Sequence, residues 1–231
     1  MGKVIMSGVV PKLVAPSAGL AASDVAEGSI VYFNENGTPA EFYVAKQDYE
    51  SSLNGAGRTL FVRKYCYDVR QWHSSSVNAY ASSDIDSWLN GTYKALLDTA
   101  VQNAIGTTKF YYTPGNGNKT KTTLSRGVFL LSLTELNKSV SSTNHNTEGT
   151  ALPIASTLLI AYYIGTAVQQ WTRTPYLQDT AYAYSVNSVG NASCDGVISS
   201  SFGVTMCSRP CFTLPSTAKF DEETLLFKGV A

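Results

Sequence analysis

At 231 residues, 44% of them hydrophobic, the chain is long enough for one large domain or two small ones around a sizeable core. Only 15% of its residues are charged, and 17 basic side chains balance 17 acidic ones. That balance excludes the basic footprint of a nucleic-acid binder and the polybasic patch of a membrane-surface protein. Ser, Thr, Asn, Gly and 14 Tyr take the place of charge. Recognition surfaces share this composition, with Tyr supplying rigid contact area and small polar residues supplying adaptable hydrogen bonds. So do β-rich, loop-rich extracellular and virion proteins.

Met1–Asp24 has no hydrophobic period and contains Pro11, Pro16 and Gly19. It reads as an extended arm, residues 1–24, ahead of a single domain over 25–231. Isolated arms fray, so this one is expected to dock on its own domain or on neighbouring subunits, which points to a homo-oligomer or larger assembly. No apolar run reaches the ~20 residues of a membrane span. Pro11-Lys12 ends the Val4–Val10 run before a signal-peptide core has formed, so the chain is expected to be made in a cytosol, without membrane insertion. Cys66, Cys194, Cys207 and Cys211 are then expected to start as thiols and to pack as small hydrophobes. Cys207 and Cys211 have no second pair, and His73 and His145 lie far off, so no metal or cofactor is expected. A bond from Cys194 across the hairpin to Cys207 or Cys211 stays open.

Ser29–Phe33 and Ala40–Lys46 are strand-like runs around Asn36-Gly37, a strong short hairpin signal. A loose Ser51–Arg58 segment leads to a third strand, Thr59–Lys64. A polar stretch from Trp72 to Tyr80 precedes the clearest helix. There Ser83 stands as the cap with an acid, Asp86, three residues on. Ile85, Trp88 and Leu89 form an i, i+3, i+4 stripe, which Asn90-Gly91 interrupts. Tyr93, Leu96 and Leu97 resume the stripe, and Val101, Ala104 and Ile105 extend it. These aromatic residues are expected to pack in the core. Phe110–Tyr112 ends a strand before the Pro114–Thr123 loop, whose GNGNKTKT string lacks the order of a phosphate loop. Val128–Leu133 is almost wholly apolar, which predicts a central buried strand. Thr134–Leu136 turns out of the sheet, and Ser139–Thr150 is a polar loop. Leu158–Ile164 is a short apolar run of either type.

The block from Trp171 to Leu214 is the most distinctive. It opens with Trp-Thr-Arg-Thr-Pro and closes with Ser-Arg-Pro-Cys-Phe-Thr-Leu-Pro. Ala181–Val186 alternates around Tyr182 and Tyr184, as a half-buried strand does, and Gly203–Phe212 is a second strand-like run. Asn187–Ser201, rich in Ser, Gly and Asn, reads as exposed hairpin and loop. Arg173 and Arg209, each near a proline at a strand end, are placed to bond loop carbonyls and pin the neck of the connection. The plain alternative is an ordinary hairpin with two surface arginines.

Several of these features form a pattern. It runs through Ser83, Ile85, Trp88, Leu89 and Asn90, then Val128–Ser132 and Glu135. Trp171, Arg173 and Pro175 follow, and Arg209, Pro210, Phe212, Leu214 and Pro215 close it. The pattern resembles an uncharacterised domain family of Firmicutes surface proteins and their phages, itself similar to the C-type-lectin-like and formylglycine-generating-enzyme folds. The resemblance covers nearly all of Ser29–Pro215. It implies an α+β, C-type-lectin-like domain, with two or three short helices on a twisted, mostly antiparallel sheet and long loops on one face. It further implies that the final hairpin and the loop before it carry ligand recognition. The ligand-binding candidates are then Tyr176, Gln178, Asp179, Tyr184, Asn187 and Asn191. Trp88, Trp171, Arg173, Arg209 and Pro210 hold the frame. No Glu-Pro-Asn, Gln-Pro-Asp or Trp-Asn-Asp triplet is present, so the oxygen cage of a calcium-dependent lectin is not expected.

Catalytic templates find little purchase. Two histidines in polar loops and no nucleophile elbow do not make a Ser/His/Asp site, and Asp84 and Asp86 read as helix-capping acids. Formylglycine-type chemistry needs a reactive cysteine, whereas Cys207 and Cys211 flank a frame position. The expectation is a non-enzymatic phage virion protein, its arm bound to other virion proteins. Its exposed module is either a tail-tip or fibre adhesin for a host glycan or protein, or a capsid decoration or head-fibre subunit.

Overall fold

Asn36 and Gly37 both adopt positive φ, 50° and 74°, the geometry of a tight hairpin turn whose twist suits its strands. In a computed structural model, which describes residues 19–198 and 206–230, this turn joins β2 (Ile30–Glu35) to β3 (Thr38–Lys46). β1 (Leu20–Ala21) precedes them. A one-turn α1 (Ser51–Asn54) leads to β4 (Arg58–Arg63) and β5 (Asp68–Val69). Next come α2 (Asp84–Trp88) and α3 (Thr99–Ala104). A hairpin of β6 (Thr108–Tyr112) and β7 (Thr122–Arg126) follows, then β8 (Val128–Phe129). α4 (Ala155–Leu158) precedes β9 (Ala161–Tyr163), β10 (Thr166–Pro175), β11 (Tyr182–Val186) and β12 (Ala192–Gly196). The chain closes with β13 (Met206–Ser208), β14 (Cys211–Pro215), β15 (Ala218–Phe220) and β16 (Phe227–Val230).

These strands form four sheets among the described residues: β2-β3-β4-β14-β8, β12-β11-β10-β13-β5 with β9 also on β10, β1-β15-β16, and β6-β7. All pairings are antiparallel except β10 with β13. Phe33 joins the first sheet to the third. Its ring centroid lies 5.1 Å from Phe42 and Phe212, 5.2 Å from Phe61 and 5.6 Å from Phe220, all edge-on or tilted. Arg209-Pro210 marks the step from β13 in one sheet to β14 in another, where proline's missing donor is not needed.

The expected α+β, C-type-lectin-like class is therefore corrected: the protein is mainly β, with 39% strand and 16% helix. The reason lies in the 84–105 region. Ser83 does cap α2, its Oγ accepting from Asp86 N at 3.2 Å, and Ile85, Leu89 and Tyr93 are fully buried. But the helix widens into a π turn over Leu89–Tyr93, tightens over Lys94–Leu96 and stops at an extended Leu97. The apolar stripe is real, yet no long helix carries it. Val128–Leu133 is buried as expected, but only Val128 and Phe129 are strand, pairing with β14 at the sheet's end. Gly203–Phe212 is two strands in two sheets rather than one run, and its Gly203–Thr205 start lies outside the described residues. Leu20–Ala21 pairs with β15, so the last part of the presumed arm is built into the domain. Residues 1–18 lie outside the description.

Candidate functional site

Asn78, 1% exposed, ties three loops together. Its Nδ2 donates to the carbonyls of Tyr176, Asp179 and Tyr182 at 2.9, 3.1 and 2.7 Å. Its Oδ1 accepts from Asn116 N at 2.8 Å. Gly115 makes the approach possible: its φ is +75°, and a Cβ there would stand 2.2 Å from the Asn78 carbonyl oxygen. Leu177 N donates to Asn144 O at 2.9 Å, Gln178 Nε2 to Thr143 O, and Asn146 Nδ2 to Lys119 O at 2.7 Å. The 115–119, 141–146 and 176–182 segments are thus one cross-tied surface beside the β11–β12 hairpin.

Two hollows open on this surface and share Tyr176 as a wall. The larger, 460 Å³, is lined by Val140, Asn144, Tyr176, Tyr182, Tyr184 and Cys194 among others. Its tyrosines form an aromatic corner. The Tyr176 ring stands at 82° to Tyr182 and 83° to Tyr184, with centroids 6.5 and 5.9 Å away. The smaller, 170 Å³, is lined by amide, hydroxyl and charged side chains, including Asn116, Lys119, Gln178, Asp179 and Thr180. Burial, then the Cys194 thiol, pushes the Tyr184 phenol up to about 12. Cys194 is an exposed residue with a free thiol, and partial desolvation, then Asp195 and Asp179, pushes that thiol up to about 12 as well. Both stay neutral at neutral pH, so the tyrosine groove carries no charge of its own.

Of the sequence candidates, Tyr176, Gln178, Asp179 and Tyr184 converge on the hollows. Tyr184 is only 4% exposed and serves as floor, whereas its neighbour Tyr182 is 40% exposed. Asn187 and Asn191 sit at the hairpin tip and line neither hollow. There Asn187 Oδ1 accepts from the N–H groups of Val189 and Asn191 at 3.2 and 2.9 Å, so it shapes the turn. Sequence reasoning missed Asn78, Asn144 and the inward role of the 115–119 loop. The alternation around Tyr182 was visible; nothing local marks Asn78.

The frame residues lie inside. Arg173, fully buried, donates to both Glu135 oxygens, Nη1 to Oε2 at 2.7 Å and Nη2 to Oε1 at 3.0 Å. It also bonds the Leu130 and Tyr111 carbonyls and stacks 4.5 Å over Phe110. Tyr49 Oη and Ser132 N complete Glu135 at 2.5 and 2.8 Å. Burial alone would lower the Arg173 pKa, but Glu135, then Tyr49, raise it well above its ordinary value. Arg209 instead bonds three carbonyls, of Arg63, Lys64 and Leu158, each at 2.8 Å, and burial pulls it down to about 10. Trp171 Nε1 donates to Arg70 O at 2.9 Å, Pro210 is buried and its carbonyl accepts from Arg63 N, and Trp88, half-buried, carries Arg70 over its ring at 3.5 Å.

Other potentially reactive groups are engaged. Cys66 and Cys207 form a disulfide, with Cα atoms 5.8 Å apart, correcting the expectation of four thiols, and Cys194 is left as a free thiol, which closes the bond to Cys207 or Cys211 that the sequence left open. Cys211 is buried and donates to Phe129 O at 2.9 Å. Glu148 is buried, with one oxygen taken by Thr113 N and the other by Thr174 Oγ1. His73 Nδ1 lies 3.2 Å from Asp84 Oδ2, and the Ser74 backbone N–H donates to both. No group of three or more metal-type side chains gathers among the described residues, and no helix there is long and apolar enough to cross a membrane.

Fold and surface together define a mainly-β protein with a recessed loop face of tyrosines and amides. The chain belongs to the family described as a domain of unknown function, DUF6273, whose profile matches residues 56–216, a span holding every residue of both hollows. No curated protein and no solved structure matches the chain.

Proposed function

We propose that the chain is a non-enzymatic recognition protein, displayed on a phage particle or another exposed surface, and that it engages its partner through the loop face around Tyr176. The observation that carries this reading is the shared wall: one tyrosine joins an aromatic groove to an amide-lined pocket, on segments tied by Asn78. Loops cross-tied in this way are preorganised, which lowers the entropy lost on binding. Tyr, Asn and Ser are the residues recognition surfaces favour. The Cys66–Cys207 disulfide supports a working life in an oxidising setting outside the cytosol.

The test is binding of the full chain to Gram-positive cells, beside Tyr176→Ala and Tyr182→Ala. Wild-type binding that both substitutions reduce supports the reading. Attachment only to phage particles, unaffected by either substitution, would leave a structural decoration role in its place.

A further inference from the structure

Resting on that reading, we infer that the two hollows joined at Tyr176 are adjacent subsites for a neutral glycan of at least two sugar rings. In the first subsite a pyranose would lay its C–H face on the aromatic corner of Tyr176, Tyr182 and Tyr184. Tyrosine suits this role because its ring face is apolar while its hydroxyl remains a polar handle. Among the described residues none of these three hydroxyls takes part in a hydrogen bond, so each can donate to, or accept from, a sugar hydroxyl. In the second subsite the neighbouring sugar meets planar polar groups. Asp179 Oδ1 is occupied by Ala181 N at 2.9 Å, which leaves Oδ2 to accept. The side chain of Thr180 is exposed beside it.

Charge argues for a neutral ligand. The pocket offers one cation, Lys119, against the Asp179 carboxylate, and the tyrosine groove is uncharged. An anionic polymer would find no basic cluster, and a cationic one only Asp179. The combined 460 and 170 Å³ suit a few sugar rings and fall within the range of small-ligand sites. A peptide would instead be drawn to the backbone edge of β12, which among the described residues pairs with β11 alone. Five of the eight residues lining the larger hollow, Val140, Asn144, Tyr176, Tyr182 and Tyr184, come from outside β12, and Ala192, Ser193 and Cys194 lie on it.

The test uses the full chain and three probes: cellotetraose, tetra-N-acetylchitotetraose, and neutral polysaccharide released from Gram-positive cell walls and stripped of phosphate. Binding is read by calorimetry and by competition against attachment to cells. The expected result is that at least one neutral glycan binds and competes. Its monosaccharide should bind roughly ten-fold more weakly or worse, with little dependence on salt. Tyr182→Ala and Asp179→Asn should each weaken binding, whereas Tyr162→Ala, exposed elsewhere, should not. Asp179→Asn keeps the acceptor for Ala181 N, so it guards against a folding artefact at Tyr182. If the chain binds cells but no glycan competes, the partner is a protein and the glycan inference fails while the recognition reading stands. Failure to bind cells or glycans overturns both. Binding that collapses with modest salt would mean an anionic ligand and would also overturn the inference.

Discussion

Replacing Arg173 with Met removes the centre of the buried frame while keeping a side chain of similar reach. Glu135 then loses both guanidinium bonds and keeps only Tyr49 Oη and Ser132 N, with 0% of its side chain exposed. Breaking such a buried pair by deleting one partner costs about 3–5 kcal/mol. The Leu130 and Tyr111 carbonyls lose their donor as well, adding roughly 1 kcal/mol between them if they relax towards other partners. Against a total stability of about 5–15 kcal/mol, a loss near 4–6 kcal/mol is most of a marginal protein's reserve. The assay is urea unfolding followed through the buried Trp72 and Trp171. The reasoning also fixes a sign for the double variant. Arg173→Met with Glu135→Leu no longer strands a charge, so it should be more stable than Arg173→Met alone. A single-variant loss below about 1 kcal/mol, or a double variant no better than the single, would refute the account of this pair.

Three further outcomes follow from particular contacts. Burial outweighs the Arg126 bond and holds the Asp86 carboxyl at about 6 rather than 3.8. The folded protein therefore keeps a proton that the unfolded chain has released. The resulting stability is complete below about pH 4 and lost as pH rises through 6, and about 2 units at 1.4 kcal/mol each bound it near 3 kcal/mol. Buried Glu148, raised by desolvation, acts in the same direction, so thermal midpoints should rise on acidification from neutral pH to about 4.5, less steeply in Asp86→Asn. Cys66 and Cys207 are 141 residues apart, and reducing their bond should cost about 2–5 kcal/mol in urea unfolding. Thiol titration of the denatured chain should find two free thiols before reduction and four after, of the four cysteines present. Gly115→Ala would drive a Cβ into the Asn78 carbonyl. It should lower the thermal midpoint and impair binding at the Tyr176 face together, whereas Gly117→Ala, with nothing near its Cβ, should pay only the backbone strain of its positive φ.

Local chemistry was legible wherever it was strong. The Asn36-Gly37 turn, the Ser83 cap and the strand around Tyr182 and Tyr184 all follow from residues within a few positions of each other, although β11 is buried throughout Ala183–Val186 rather than on alternate residues. The fold class was not, because it depends on what the apolar stripe after Ser83 does over twenty residues. Ile85, Leu89 and Tyr93 satisfy a helix and a core equally well, and the π turn at Asn90-Gly91 answers to Asn90. That side chain accepts from Gly127 and Val128 N and donates to Val128 O, a contact no local pattern foretells. The same holds for Cys66, whose partner lies 141 residues on in β13, and for Asn78, whose four bonds all reach across the chain.

Arg173 and Arg209 show how buried arginines hold irregular connections in order. A surface made of connections carries many backbone groups that no ladder satisfies. Arg173 takes up carbonyls of Tyr111 in β6 and Leu130 just past β8, and Arg209 those of the last residues of β4 and α4 and of Lys64. They differ in how the buried charge is met. Burial lowers both, but Glu135 neutralises Arg173 whereas Arg209 meets carbonyl dipoles, so the Arg173 pKa ends above its ordinary value and that of Arg209 below it. Arg173 sits two residues from the end of β10, where the chain turns into Tyr176 and the two hollows. A displaced Arg173 would therefore move the wall that both subsites share, and ligand binding should fail in partially destabilised Arg173 variants before the β-sheets unfold.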